Sequence, residues 1–264
     1  MNNPEPIHVL DEARQAWSAM GPLRASYVAH EQLATVLAWR GDSRFVAVAS
    51  RELAHHCREM IETAGRRRGS LLLLDEPTLS LRAAFEVLFD RVIAPPATLL
   101  PLAELAEVLA CEEASDLCIG GIVDQVAGVV ALYRGDLSSV MAPLSSFASD
   151  GAGIEPDFSR FSVTDFGRTL CFGTYEAAFD AVLYERDASY RSRLKARRLA
   201  EDRSFGACLR RLRLQRGVAR EDVPGVSAKT IARIERGEVA RPRRRTLDAL
   251  SRALGVAPDE IEQF

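Results

Sequence analysis

The sequence predicts a multidomain α+β chain: an N-terminal α/β region over residues 1–95, a small, mostly antiparallel β module over 96–185, a basic helical linker over 186–203 and an all-α C-terminal domain over 204–264. Two observations carry this division. Helical and strand-like apolar patterns alternate through the first region, short strand-like runs between turn residues fill the second, and after Ser204 apolar residues recur at helical spacing alone. Charge changes sign along the chain: residues 1–185 hold 14 Lys and Arg against 26 Asp and Glu, a net of −12, whereas 186–264 hold 20 against 11, a net of +9. The overall −3 thus conceals a basic tail on an acidic body, the footprint of a nucleic-acid-binding module joined to something that is not one.

At 264 residues and 47% hydrophobic content the chain can bury proper cores and is not disordered. No apolar stretch, the leucine run Leu71–Leu74 included, approaches a membrane span, and the N-terminus lacks a charged-then-apolar signal pattern, so a cytoplasmic protein is expected. Five cysteines, at 57, 111, 118, 171 and 208, are odd in number and form no CxxC pair, which favours buried free thiols over a disulfide framework or zinc site. No cofactor and no metal is expected.

In the first region Leu10–Met20 reads as a helix, with Asp11 near its start and Gly21-Pro22 beyond its end, and Glu31–Trp39 as a second. Phe45–Ser50 reads as a strand and Arg51–Ala64 as a helix closed by Gly65. Leu71–Leu74 reads as a buried strand, and Leu81–Val92 as a helix, giving a small α/β domain. The segment Ser70-Leu-Leu-Leu-Leu-Asp-Glu-Pro-Thr78 resembles the Walker B strand of transporter-type ATPases. The matching phosphate cradle, GxxxxGK[ST], cannot be supplied, because the only lysines are Lys195 and Lys229. His55 and Glu59 lie four apart on one helix, yet no third ligand stands at a defined spacing, so a solvated or satisfied histidine is the better reading.

Pro95-Pro96 marks a boundary, followed by a helix over Leu102–Ala110. Cys118–Val123, Val126–Tyr133 and Val140–Phe147 are strand-like, and Arg160–Val163 and Thr169–Phe172 flank a turn at Asp165–Arg168. Gly120-Gly121 fits a tight strand bend better than a phosphate loop. Phe161–Phe172 with Asp180–Tyr184 is similar to a small β domain found in bacterial proteins, to which no chemistry is attached. Arg186–Asp202, with Arg191, Arg193, Lys195, Arg197 and Arg198 on several faces, reads as a helix that either spaces the domains or lies along a phosphate backbone.

In the last region Phe205, Leu209, Leu212 and Leu214 recur at helical spacing until Gly217. Ser227 can cap a helix by accepting the Thr230 amide, and Gly237 can end it in the left-handed conformation. Ile231 and Ile234 face a core while Ala228, Lys229 and Arg233 point outward: a short helix with small and basic residues at its front, suited to a major groove. Arg241-Pro242-Arg243-Arg244-Arg245 forms a basic loop, Thr246 caps a helix carrying Leu247, Leu250, Ala253 and Leu254, and a short helix runs from Pro258 to Phe264.

Over this quarter of the chain, and most clearly in IARIERGEVARPRRRTLDALSRALGV, the sequence resembles the xenobiotic-response-element (XRE) type of helix-turn-helix domain shared by lambda-type phage repressors. The resemblance implies a five-helix, lambda-repressor-like domain whose third helix reads the major groove, usually as a symmetric dimer. It places Ala228, Lys229 and Arg233 at base edges and Ser227, Thr230, Arg241, Arg243, Arg244 and Arg245 at phosphates. One departure is plain: Arg220–Gly225, interrupted by Pro224, is shorter than the family's second helix.

The expected function is therefore sequence-specific double-stranded DNA binding by a homodimeric, bacterial-type transcriptional regulator, with an acidic N-terminal region that oligomerises, senses or recruits a partner. Alternatives are a protein-binding helical bundle, an antitoxin-like module whose C-terminal domain regulates its own operon, and an enzyme targeted to DNA. Against the last, no catalytic triad, metal cluster or phosphate loop can be read, and the four histidines, His8, His30, His55 and His56, all lie in the first quarter of the chain.

Overall fold

Short apolar runs build the first sheet. In the computed structural model, which describes residues 7–10, 25–27, 44–63, 68–147 and 153–263, the strands β1 (Ile7–Leu10), β2 (Ala25–Tyr27), β3 (Arg44–Ala47), β4 (Arg68–Leu73) and β5 (Phe89–Ile93) pair in parallel in the order β2-β1-β3-β4-β5. A parallel sheet is covered on both faces, which is why the central strands read as continuous apolar runs; Val46, Leu72 and Leu73 are buried. Two short helices, α1 (Ser50–Ala54) and α2 (Cys57–Thr63), follow β3, and α3 (Leu79–Leu88) follows β4. Leu53, Met60, Phe85 and Leu88 from these helices close over Phe45, Leu71, Leu73 and Phe89 in one core.

Several boundaries differ from the sequence-based expectation. Leu10, expected to open a helix, ends β1; the rest of that helix and all of Glu31–Trp39 lie outside the described residues. The helix expected over Arg51–Ala64 is two helices with a turn at His55-His56. His55 is exposed and His56 buried, and the Glu59 side chain is outside what is described. The helix expected over Leu81–Val92 stops at Leu88, where Phe89 turns extended (φ −116°, ψ 151°) and pairs with Arg68 of β4. Strand pairing overrides the local pattern there, because the extended backbone gains hydrogen bonds to β4 while Phe89 and Ile93 are buried.

The Walker-like acid has a structural partner. Asp75, just past the end of β4, accepts hydrogen bonds from the Ser50 amide (2.7 Å) and the Ser50 hydroxyl (2.8 Å), one on each carboxylate oxygen. It ties β4 to the first turn of α1.

The same unit continues across Pro95-Pro96. Strands β6 (Thr98–Leu99), β7 (Cys118–Asp124), β8 (Val129–Arg134) and β9 (Ser139–Pro143) form an antiparallel sheet in that order, with α4 (Leu102–Ala110) between β6 and β7. A three-stranded antiparallel sheet follows, β10 (Phe161–Thr164), β11 (Thr169–Phe172) and β12 (Tyr175–Ala178), then α5 (Phe179–Arg186) and α6 (Ala188–Glu201). The strand expected from Val126 begins only at Val129, because Asp124 accepts the Ala127 amide (2.8 Å) and holds a turn. The strand expected to reach Phe147 ends at Pro143 and gives way to a 3-10 turn, Leu144–Phe147. Gly120 sits beside an irregularity in the β7 register, and a Cβ there would lie 2.1 Å from the Thr98 carbonyl oxygen, so the glycine permits the approach of β6 rather than cradling a phosphate. Arg44, at the start of β3, donates to the Gly135 carbonyl (3.2 Å) in the turn between β8 and β9.

The chain divides into two units, Met1–Tyr190 and Arg191–Phe264. Near the end of the first, Asp187 caps α6: one carboxylate oxygen accepts the Ser189 amide (2.8 Å), the Ser189 hydroxyl (2.6 Å) and the Tyr190 amide (3.1 Å), and the other accepts Arg134 Nη1 (3.0 Å). Arg134 also donates through Nε to the Ser115 carbonyl. No helix among the described residues is long and apolar enough to cross a membrane.

Burial of Asp187 opposes its ionisation, but the hydrogen bonds from Ser189 and Tyr190 and the Arg134 charge outweigh it and hold the carboxyl at about 2. The folded value lies below the unfolded one, so this stabilisation is complete above about pH 4 and is lost as pH falls toward 2. Asp187→Asn is expected to remove about 2 kcal/mol at neutral pH and to flatten the acid limb, as read from urea unfolding of the first unit at a series of pH values.

Candidate nucleic-acid interface

Beyond α6 the second unit holds, among the described residues, three α-helices and two 3-10 turns: α7 (Phe205–Gln215), the turn Arg220–Asp222, α8 (Ala228–Glu235), α9 (Arg244–Leu254) and the turn Glu260–Gln263. Five helical segments were expected, and the second and fifth are single turns rather than helices. Pro224 cannot donate an amide to a continuing helix, and Gly225 (φ +77°) redirects the chain. Val223 is nonetheless buried, so one turn suffices to plug the core.

That core comprises Leu209, Leu212, Val223, Ile231, Ile234, Leu250, Leu254 and Ile261. Ser204 caps α7 by accepting the Ala207 amide (3.3 Å), and Ser227 caps α8 by accepting the Thr230 amide (3.2 Å), the bond its spacing predicts. Gly237 (φ +77°) closes α8 and donates its amide to the Ile234 carbonyl (2.9 Å). Thr246 does not cap α9: the helix starts at Arg244, with Arg243 extended as its cap residue, and the Thr246 amide donates to the Arg243 carbonyl (2.8 Å) inside the first turn.

Two features set the pose of α8. A Cβ on Gly206 of α7 would lie 2.2 Å from the Ile234 carbonyl oxygen, so only glycine allows the helices to come this close. Glu235, whose side chain is 1% exposed, accepts Arg213 Nε on one oxygen (2.6 Å) and Arg220 Nη2 (2.6 Å) and Nε (2.9 Å) on the other. Arg213 also donates to the Val218 carbonyl (2.8 Å), so α7, the 3-10 turn and α8 meet at one carboxylate. Burial opposes the charge on Glu235, yet the hydrogen bonds from Arg213 and Arg220 prevail and hold its carboxyl below the usual range. Glu235 falls four residues after Ile231, on the core side of the helix, and that spacing was the one signal of its role in the sequence.

The residues assigned to DNA lie as follows. Ser227, Lys229, Thr230 and Arg233 are exposed and Ala228 is half-buried at the front of α8. Lys229 and Arg233 share the side opposite the buried Ile231 and Ile234, while Ala228, three residues before Ile231, lies at the flank of that face. Arg241, Arg243, Arg244 and Arg245 are exposed around the start of α9, with Pro242 buried between them. Arg233 and Arg236 both grip Glu238, at 3.1 and 2.7 Å, and these hydrogen bonds hold the Glu238 carboxyl below its usual range. Arg236 and Glu238 were not among the residues assigned from sequence, although Arg236 follows Arg233 by three residues and so shares its face.

Residues 204–264 match a family model described as a helix-turn-helix domain. The C-terminal segment is thus a helix-turn-helix domain of the XRE, lambda-repressor type. No curated protein and no solved structure matches the chain.

Removing Glu235 strands Arg213 without its counter-charge, so Glu235→Gln is expected to destabilise the second unit by roughly 3–5 kcal/mol in denaturant titrations. Because folding lowers this carboxyl, the stabilisation is whole above about pH 4.5 and fades on acidification, and the variant should lack that limb. Gly206→Ala is expected to cost about 1–3 kcal/mol by forcing α7 and α8 apart, seen as a lower melting temperature.

Proposed function

We propose that the protein is a sequence-specific double-stranded DNA-binding transcriptional regulator that inserts α8 into the major groove. The observation carrying this reading is that the matched helix-turn-helix domain presents a capped, eight-residue helix whose outward face is small and basic, on a bundle that holds its angle. Ala228 offers a methyl to a thymine methyl, Lys229 a single charge, and Arg233 a planar donor fork for a guanine edge. Ser227, Thr230, Arg241, Arg243, Arg244 and Arg245 meet phosphates and set register. Arg233 must exchange Glu238 for a base, a small cost because the pair is exposed.

A homodimer on a two-fold symmetric site and an oligomerising, sensing or partner-binding role for the acidic N-terminal region complete the proposal. The involvement of both Asp75 oxygens with Ser50 favours this reading over nucleotide hydrolysis by the Walker-like segment. No cofactor enters the proposed mechanism.

Selection of bound sites from random duplexes, followed by titration of wild type and variants across salt, tests this reading. Arg233→Ala is expected to relax preference at one position of each half-site, worth roughly 1–3 kcal/mol against the wrong base. Arg243→Ala is expected to weaken all sequences alike and to lower the salt slope by about 1 for each bound protomer. A uniform loss across sequences from Arg233→Ala would show that α8 does not lie in the groove as assigned.

A further inference from the structure

Helix α6 is the most cationic element among the described residues, and the reading above leaves it unused. Between Ala188 and Ala200 it carries Arg191, Arg193, Lys195, Arg197 and Arg198 and no acid at all. Tyr190 is its one buried residue. Arg191, Lys195 and Arg198 follow one another at spacings of four and three, so they form a single stripe, and all three are exposed. Three cations on one exposed stripe present a continuous positive surface, which attracts a polyanion.

The C-terminal end of this helix is fastened to the helix-turn-helix core. Arg211 of α7 donates to the Leu199 carbonyl (2.8 Å) and the Asp202 carbonyl (2.7 Å), so the last turn of α6 and the residues after it are pinned to the helix that also carries the Glu235 cluster. The stripe from Arg191 to Arg198 spans about 10 Å of helix axis. Over that length of duplex a strand passes about three phosphates, one for each cation.

We propose that Arg191, Lys195 and Arg198 form a second phosphate-binding surface, which takes up the backbone of the duplex flanking the site read by α8. This assignment rests on the DNA-binding reading and adds to it a longer footprint and a steeper salt dependence without further base specificity. Surfaces of this kind set affinity and register while base edges are read elsewhere.

The test uses the full chain with two duplexes, one carrying the selected site alone and one extended by about 10 base pairs on each side, roughly one helical turn. Wild type should bind the extended duplex more tightly, by about tenfold or more at moderate salt, and with the steeper slope. The triple variant Arg191→Gln, Lys195→Gln, Arg198→Gln should lose that advantage and lower the slope on the extended duplex by about 2–3 for each bound protomer, with base preference intact. The variant Arg191→Lys, Arg198→Lys, which retains charge and helix propensity, should behave as wild type. If the triple variant keeps the length advantage and the slope while wild type keeps its sequence preference, the α6 surface is wrong and the α8 reading stands. If wild type prefers no duplex sequence, the α8 reading itself falls and the α6 surface falls with it.

Discussion

The buried Glu235 carboxylate is the constraint from which the rest of the C-terminal domain follows. An eight-residue helix has little stability of its own and takes its geometry from what it packs against. Here the second helix of the family is reduced to the turn Arg220–Asp222, which removes much of the surface that would orient α8. Directional charge replaces area: Arg220 from that turn and Arg213 from α7 hold one carboxylate from both sides, and Gly206 lets α7 lie against the same end of α8. Ile231 and Ile234 then occupy the core, and what remains outward is the row of Lys229, Arg233 and Arg236, with Ala228 at its flank.

The same economy recurs in the first unit, where acids with the look of chemistry serve the backbone. Asp75 resembles a magnesium ligand in sequence and is the partner of Ser50 at the start of α1. Asp187 joins Arg134 at the end of β8 to the first turn of α6. Orphan amides at a helix start draw a carboxylate strongly: Asp187 reaches those two and three residues on, as a local cap does, whereas Asp75 reaches one far away in the chain. The charge reversal along the chain acts at longer range: an acidic body at −12 and a basic end at +9 bias any polyanion toward the latter.

Most of the C-terminal domain was legible because its determinants are local. Ser227 three residues before Thr230, Gly237 after the last turn, and apolar residues at spacings of three and four each dictate a bond or a face within a few residues. The misplaced start of α9 has the same origin: Arg243 takes the capping backbone conformation with no side-chain signal to announce it. In the first unit two of the errors, at Leu10 and at Phe89, share one cause. β1 and β5 are four and five residues long, too short for periodicity to identify, and they are strands because β3 and β4 lie alongside them.

By itself, then, the sequence determined the kinds of region, the charge reversal, the helix-turn-helix identity of the last quarter and the outward face of α8, since each depends on spacing within one turn or on summed composition. Only the tertiary structure decided the parallel sheet and its order, the use of Asp75 and Asp187 as caps, the meeting of Arg213, Arg220 and Glu235, and the pairing of Arg233 and Arg236 with Glu238. Most of these join residues far apart in the chain, and even the close pairs depend on how turns are folded. Whether two such groups meet is settled by packing of the whole unit, which no local pattern encodes.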